Sequence, residues 1–198
     1  MDRCSTTGTH DERLYRRAAA AVFHKTAEQF GGLSNMAGGF PLGVAGIRIL
    51  TSEALYQACR FPMLPAVQRL IVAQASPMSA KMKSKPHRAQ TRPGWDDDRV
   101  EIMRWCLRVK LAQHPERFGA LLLSTGERPI VEQSRRDAFW GAKVVDDATL
   151  VGQNVLGRLL SELRDEFRVS GAECFAVVEA PDLPDFLLYG RPIGAVSR

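Results

Sequence analysis

Two stretches of this chain repeat their apolar residues at helical spacing. From Asp98 to about Gln113, Met103, Leu107 and Leu111 recur every four residues and form a core face, with Arg104 and Arg108 on the opposite rim. Asp98-Arg99-Val100-Glu101 resembles a capping box and sets the predicted start of that helix. From Asn154 to Phe167, residues Leu156, Leu159, Leu160, Leu163 and Phe167 face inward, while Arg158 and Glu162 are placed to pair at i, i+4. A shorter helix is predicted after Thr51-Ser52, which supply its N-cap. Glu53, Tyr56, Gln57 and Arg60 fall on one face of it. Such a stripe is either a solvated surface or a helix opening onto a polar cleft.

Strand patterns are shorter. Gly46–Leu50 alternates, Arg128–Glu132 reads as a strand, and a last short strand is expected in Asp185–Tyr189. Ala18–His24 fits strand or helix, and Asp137–Gly141 a turn or short helix. Six glycines between Gly31 and Gly46 predict either a loop that wraps a ligand or two β-turns around a short strand. No Lys-Ser/Thr follows them, which excludes a P-loop. Residues 1–14 are polar and aperiodic, a flexible tail, and residues 15–198 are expected to form one compact, helix-rich α+β domain with a few short strands.

Composition narrows the class. Hydrophobic residues make up 45% of the 198 and charged residues 25%, as in an ordinary globular protein. No apolar run approaches the roughly 20 residues of a membrane span, and Met1–Ser5 carries no signal-peptide pattern, so a cytoplasmic protein without membrane partners is expected. Cys4, Cys59, Cys106 and Cys174 are scattered, as are His10, His24, His87 and His114, which argues against a disulfide framework or a metal site. The net charge of +5 suits a phosphate-bearing partner, nucleic acid or a pyrophosphate ligand.

Phe30–Asn35, Ser52–Ala58, Ala80-Lys81, Trp95, Val131–Ser134, Asp137–Gly141 and Gly152–Leu160, in that order, resemble the NADAR family from about Val22 to Phe167. The resemblance implies an N-glycosidase without a cofactor. One branch of that family cleaves the ribosyl bond of early riboflavin-pathway intermediates. Another removes ADP-ribose from guanine bases of nucleic acid, as the antitoxin to a DarT-type toxin. The riboflavin branch reads Ser-Glu-His-Tyr-Tyr-Gln-Ala, where this chain has Ala54 and Leu55 at the third and fourth positions; the family's Trp-Gly-x-Gly becomes Trp140-Gly141-Ala142-Lys143. Both departures favour ADP-ribosylated guanine, in DNA or RNA, with a cognate ADP-ribosyltransferase encoded nearby. The rival readings are the riboflavin glycosidase and a non-catalytic ADP-ribose-binding module.

The chemistry sets the roles. An N-glycoside breaks through an oxocarbenium-like state that carboxylates stabilise, with an acid protonating the leaving nitrogen. Where the leaving group is an exocyclic amine, the ring oxygen can depart first, and a lysine then captures the imine as a Schiff base. The resemblance makes Glu53 the first choice of carboxylate, against a plain helix cap. Lys81 is the candidate nucleophile, with Lys83 and Lys85 nearby to favour its neutral form, against a solvated lysine run. Asp137 is read as a ribose acceptor or second acid–base group and Trp140 as a stacking wall; the rival account is a capping Asp beside a buried Trp. Tyr56 shares the helix face with Glu53, and Trp95 is either a second stacking ring or a core residue. Ser34 and Asn35 from the glycine-rich segment, with Asn154 and Arg158, are candidates for hydroxyls and phosphates, and Gly141, Gly152 and Gly157 for close backbone approach.

Overall fold

The computed structural model describes residues 12–198. Most of the tail lies outside the described residues, but strand β1 (Arg13–Arg16) begins within its predicted bounds and pairs antiparallel with a later strand, β7. The ambiguous segment after it resolves into a 3-10 turn and strand β2 (Ala21–Phe23). The glycine-rich stretch is a 3-10 turn, Gly31–Leu33, followed by a hairpin of β3 (Leu42–Val44) and β4 (Ile47–Ile49). The turn reading therefore holds for its second half.

Helix α1 (Ser52–Cys59) starts at the expected cap: Thr51 Oγ1 accepts from the Ala54 amide at 3.2 Å. All eight residues are buried, so the polar stripe is no solvated surface. Helices α2 (Pro65–Val72) and α3 (Pro77–Ser84) pack beside it. Both begin with proline at the first turn, a start signal that stood in the sequence. Helix α4 (Trp95–Gln113) is the central element, burying Met103, Leu107 and Leu111 as expected. It begins at Trp95 rather than Asp98, because Gly94 takes φ +70° and turns the chain there. Asp98 pairs with Arg92 at 3.1 Å instead of closing a capping box.

A short helix α5 (Ala120–Leu123) leads to β5 (Ile130–Glu132), which pairs parallel with β2. Residues 137–141 form a turn, followed by β6 (Lys143–Asp146) and β7 (Thr149–Gly152), so that one sheet runs β1-β7-β6. Helix α6 (Val155–Ser170) lays Leu156, Leu159, Leu160 and Leu163 on the core, and α4 packs against it. The predicted Arg158–Glu162 pair does not form, since Glu162 reaches across to Arg104 at 2.6 Å, and Glu166 holds Arg108 at the same distance. Short pairs β8 (Val177–Val178) with β11 (Val196–Ser197), and β9 (Leu187–Leu188) with β10 (Arg191–Pro192), close the chain. The result is one compact α+β domain, and among the described residues no helix is long and apolar enough to cross a membrane.

Asn154 joins β5 to α6. It sits in the left-handed region at φ 49°; its Oδ1 accepts from the Glu132 amide at 3.0 Å and its Nδ2 donates to the Ile130 carbonyl at 2.9 Å. Asn154→Ala leaves both backbone groups unsatisfied and places alanine where Asn is tolerated better. The expected cost is about 2–4 kcal/mol in urea unfolding; a loss under about 1 kcal/mol would mean that water replaces the clamp.

Candidate active site

The polar face of α1 opens onto a cleft of about 860 Å³. Glu53, the first carboxylate, is 5% exposed. Asn35 Nδ2 donates to its Oε2 at 2.8 Å and Gln57 Nε2 to its Oε1 at 3.0 Å. Because the carboxylate only accepts, these two amides are oriented, which leaves Asn35 Oδ1 and Gln57 Oε1 buried without a partner. Such acceptors are costly to leave unmet, and ligand hydroxyl or N–H groups would satisfy them. The Gly31–Leu33 turn that delivers Asn35 is fastened from behind. Buried Lys110 of α4 donates to the carbonyls of Gly32 and Ser34 at 2.8 and 3.2 Å.

Glu132 enters from the end of β5, and Asp137 and Trp140 from the following turn. Burial, then the neighbouring charges of Asp137 and Glu53, push the Glu132 carboxyl up to about 7, with Lys81 pulling the other way. Glu53, Glu132, Asp137 and the Lys81 ammonium thus face a common space, which Asp96 and Asp97 at the start of α4 also border. Asp137 Oδ1 accepts from the amides of Phe139 and Trp140, both at 2.9 Å, so it shapes the turn that carries Trp140 while lining the cleft. Lys81, from the last turn of α3, is exposed at the rim.

An aromatic wall adjoins these groups. The Tyr56 ring lies 5.1 Å from Trp95 and 5.7 Å, edge-on, from Trp140. Burial raises the Tyr56 hydroxyl above its ordinary value, so it stays a neutral donor. The Arg60 guanidinium sits 5.0 Å over Trp95, and its Nε donates to Thr91 Oγ1 at 2.8 Å. Arg88, Arg92 and Arg99 line the same end. Arg92 Nε and Nη1 and Arg99 Nε are buried donors without partners.

The cleft therefore gathers Glu53, Lys81, Asp137, Asn35, Tyr56, Trp95 and Trp140. It does not gather Ser34, Gly141, Gly152, Asn154, Gly157 or Arg158. Ser34 lies in the fastened turn, its Oγ accepting from the Met36 amide. Gly141, Gly152 and Gly157 mark places where backbone meets backbone: a Cβ on Gly157 would collide with the Ile130 carbonyl oxygen, and those on Gly141 and Gly152 with the carbonyl oxygens of Glu132 and Gly141. Arg158 is half-buried on α6, away from the lining. Residues that hold β5, the 137–141 turn and α6 together thus carry part of the motif set. Glu132, Gln57, Arg60, Arg88, Arg92 and Arg99 were not among the predicted site residues. Glu132 stood inside a quoted motif, but only its burial beside two carboxyls distinguishes it.

A carboxyl half-protonated near neutrality beside an acceptor-only carboxylate is an acid–base pair suited to cutting a glycosidic bond. The class this geometry defines is a sugar-bond cleft with a lysine at its lip. The chain belongs to the NADAR family, whose domain model matches residues 22–168. It is 35% identical over 147 residues to the N-glycosidase YbiA of Escherichia coli, covering 74% of this chain and 88% of that one. A riboflavin biosynthesis protein of Vibrio vulnificus is 32% identical over 148 residues, 74% of this chain but 38% of its own length. The NMR structure of E. coli YbiA superposes with a TM-score of 0.66 at 32% identity, covering 80% of this chain and 94% of that one.

The position of Glu132 makes a prediction with two readouts. Its carboxyl titrates above the unfolded value, so the folded state holds the proton more tightly and stability falls as pH rises from 4.5 through about 7. At about 1.4 kcal/mol per unit, the upper limit of that loss is about 3 kcal/mol. Glu132→Gln should recover stability at pH 8 but not at pH 4, while lowering the reaction rate and erasing the fall in rate that loss of this proton causes above pH 7. An unchanged pH profile would remove Glu132 from the proton transfer.

Proposed function

We propose that this chain hydrolyses the N-glycosidic bond joining ADP-ribose to a guanine base of DNA or RNA. In this reading it acts as antitoxin to a DarT-type ADP-ribosyltransferase encoded nearby. The observation that supports it most is the convergence of Glu53, Glu132, Asp137 and Lys81 on a cleft that also holds unpartnered arginine donors. The carboxyls serve the anomeric carbon and the leaving nitrogen, and Lys81 serves the ring-opened sugar. Guanidinium donors left unmatched in a buried wall suit the oxygens of a diphosphate. Tyr56, Trp95 and Trp140 supply the apolar faces on which a base or ribose packs.

A second reading, cleavage of a riboflavin-pathway ribosylamine, is favoured by the name of the Vibrio relative. Ala54, Leu55 and Lys143 weigh against it, since they replace residues of that branch's pattern. A module that only binds ADP-ribose has no use for Glu53 and Lys81 together. The test gives purified protein, pretreated with chelator, a guanine-ADP-ribosylated oligonucleotide and, separately, a riboflavin-pathway ribosylamine. Release of ADP-ribose and unmodified guanine is expected. Cleavage of the ribosylamine alone would establish the second reading. Activity lost on chelation and restored by a divalent metal would overturn the metal-independent route, which is motivated by the lack of any metal-holding His, Cys, Asp and Glu group among the described residues.

A further inference from the structure

From Ala73 to Gly94 the chain carries Lys81, Lys83, Lys85, Arg88 and Arg92 and not one Asp or Glu. This segment is one rim of the cleft: Lys81, Arg88 and Arg92 line it, while Lys83 and Lys85 stand exposed just outside. Among the described residues, Lys81, Lys83, Lys85 and Arg88 make no ion pair, whereas Arg104, Arg108, Arg164 and Arg168 of α4 and α6 all do. The charge of those four arginines is matched locally. That of Lys81, Lys83, Lys85 and Arg88 is not.

Past the rim lies a second hollow of about 590 Å³, whose apolar lining includes Pro62, Met63, Leu64, Pro93 and Pro184. Thr91, Arg92 and Gly94 border both cavities. Arg92 is 7% exposed; its Nη2 holds Asp98 and donates to the Pro184 carbonyl at 2.9 Å, and its Nε and Nη1 remain unmatched. A buried guanidinium with unused donors therefore stands between a polar cleft and a proline-lined hollow.

We propose that this rim and hollow are the docking track of a single-stranded polynucleotide. Lys81, Lys83, Lys85 and Arg88 take successive backbone phosphates, and Arg92 takes an anionic oxygen where the strand crosses between cavities. A base next to the modified one lies against Met63 and the prolines, while the modified nucleotide occupies the cleft. Unpaired cations within about a Debye length of each other act together on a polyanion. Apolar side chains accept any base face, but only from a strand whose bases are unstacked. An anionic membrane would meet the same lysines but would have no use for the hollow or for Arg92. The inference rests on the nucleic-acid reading above and extends it to the polymer.

The test is anisotropy titration of a short unmodified single-stranded oligonucleotide over a range of salt. Charge reversal at Lys83→Glu/Lys85→Glu should weaken binding at least about tenfold and flatten the slope of log K against log salt by about 1.4, two contacts at about 0.7 each. Met63→Ser should weaken binding several-fold at unchanged slope, and a duplex should bind more weakly than the strand. Met63→Ser should leave kcat/KM on an ADP-ribosylated guanosine mononucleoside unchanged, and the double variant should lower it only mildly, far less than it weakens strand binding. Unchanged affinity and slope in the double variant, or preference of the wild-type protein for phosphatidylserine vesicles over the oligonucleotide, would overturn the track. If the oligonucleotide results hold and no ADP-ribosyl-guanine is cleaved, the docking surface stands and the proposed activity falls; cleavage of the mononucleoside with an unaffected double variant gives the reverse.

Discussion

Glu53→Gln should lower kcat on the order of a hundred- to ten-thousand-fold, the range for a positioned acid, base or charge, while ADP-ribose still binds. The substitution keeps the shape and removes the charge. Its effect on stability should be small, for a reason visible in the site. A glutamine at 53 brings an NH2 group towards Asn35 Nδ2 or Gln57 Nε2, both of which donate to Glu53. The oxygens of those two amides have no partner, so either can turn over and accept from the new NH2. Kinetics, calorimetric titration of ADP-ribose and thermal unfolding measure the three quantities independently. A near-wild-type rate would reduce Glu53 to a buried member of its helix. A rate loss accompanied by an equal loss of binding would assign it to substrate affinity rather than to the transition state.

The second large effect concerns Lys81. Borohydride present during turnover should fix ADP-ribose to the protein, with the added mass on Lys81. On the proposed substrate the exocyclic amine of guanine leaves poorly, so in the proposed route the C1′–O4′ bond breaks first and its electron pair goes to O4′, which takes a proton from Glu132. The resulting C1′=N iminium, which keeps the N–H of the guanine amine, is attacked by the Lys81 amine. The guanine nitrogen gains the proton that Lys81 loses and departs, leaving C1′ joined to Lys81 as a Schiff base. Water adds to that carbon, the lysine is expelled, the released proton returns to Glu132, and the sugar recloses as ADP-ribose. No electrons are gained or lost unless borohydride delivers hydride to the C=N bond.

Lys81 stands at the exposed rim, so the bound substrate itself must cover the amine for the exchange to proceed in a dry site. Lys81→Ala should abolish trapping and most activity. On a mononucleoside substrate, Lys83→Ala should weaken both only mildly, since Lys83 lies outside the cleft. Turnover with nothing trapped, or Lys81→Ala at wild-type rate, would dismiss the Schiff base. Direct cleavage between Glu53, Glu132 and Asp137 would then carry the reaction.

Helices and caps were legible where local physics decides them. The four-residue repeat of Met103, Leu107 and Leu111 can be satisfied only by a helix with one buried side, and Thr51 caps α1 because its hydroxyl accepts a neighbouring amide. The start of α4 was misplaced because Asp98 looks like a cap in sequence, yet a partner six residues earlier, Arg92, takes its carboxylate. Helices α2 and α3 passed unmarked, although Pro65 and Pro77 open them. The same ambiguity affected the glycines and Asn154. A residue that lets backbone approach a ligand and one that lets backbone approach backbone look alike in sequence, and here the approach is between β5, the 137–141 turn and α6.

By itself the sequence determined the family, the α+β class, and the residues Glu53, Lys81, Asp137 and Trp140 as an ordered set. Residue type and spacing suffice for those, because periodicity and motif order are properties of the chain. Only the tertiary structure decided which of them share a space. It set Glu132, which reads as one more strand residue, in the same cleft as Glu53 and Asp137, where burial and these two negative neighbours raise its carboxyl to about 7. It left donors of Arg92 and Arg99 and acceptors of Asn35 and Gln57 without partners in the cleft wall. It also withdrew Asn154 and the three glycines into the scaffold. Desolvation and unmet hydrogen bonds arise from what surrounds a group on every side, and those neighbours come from segments as far apart as α1 and β5.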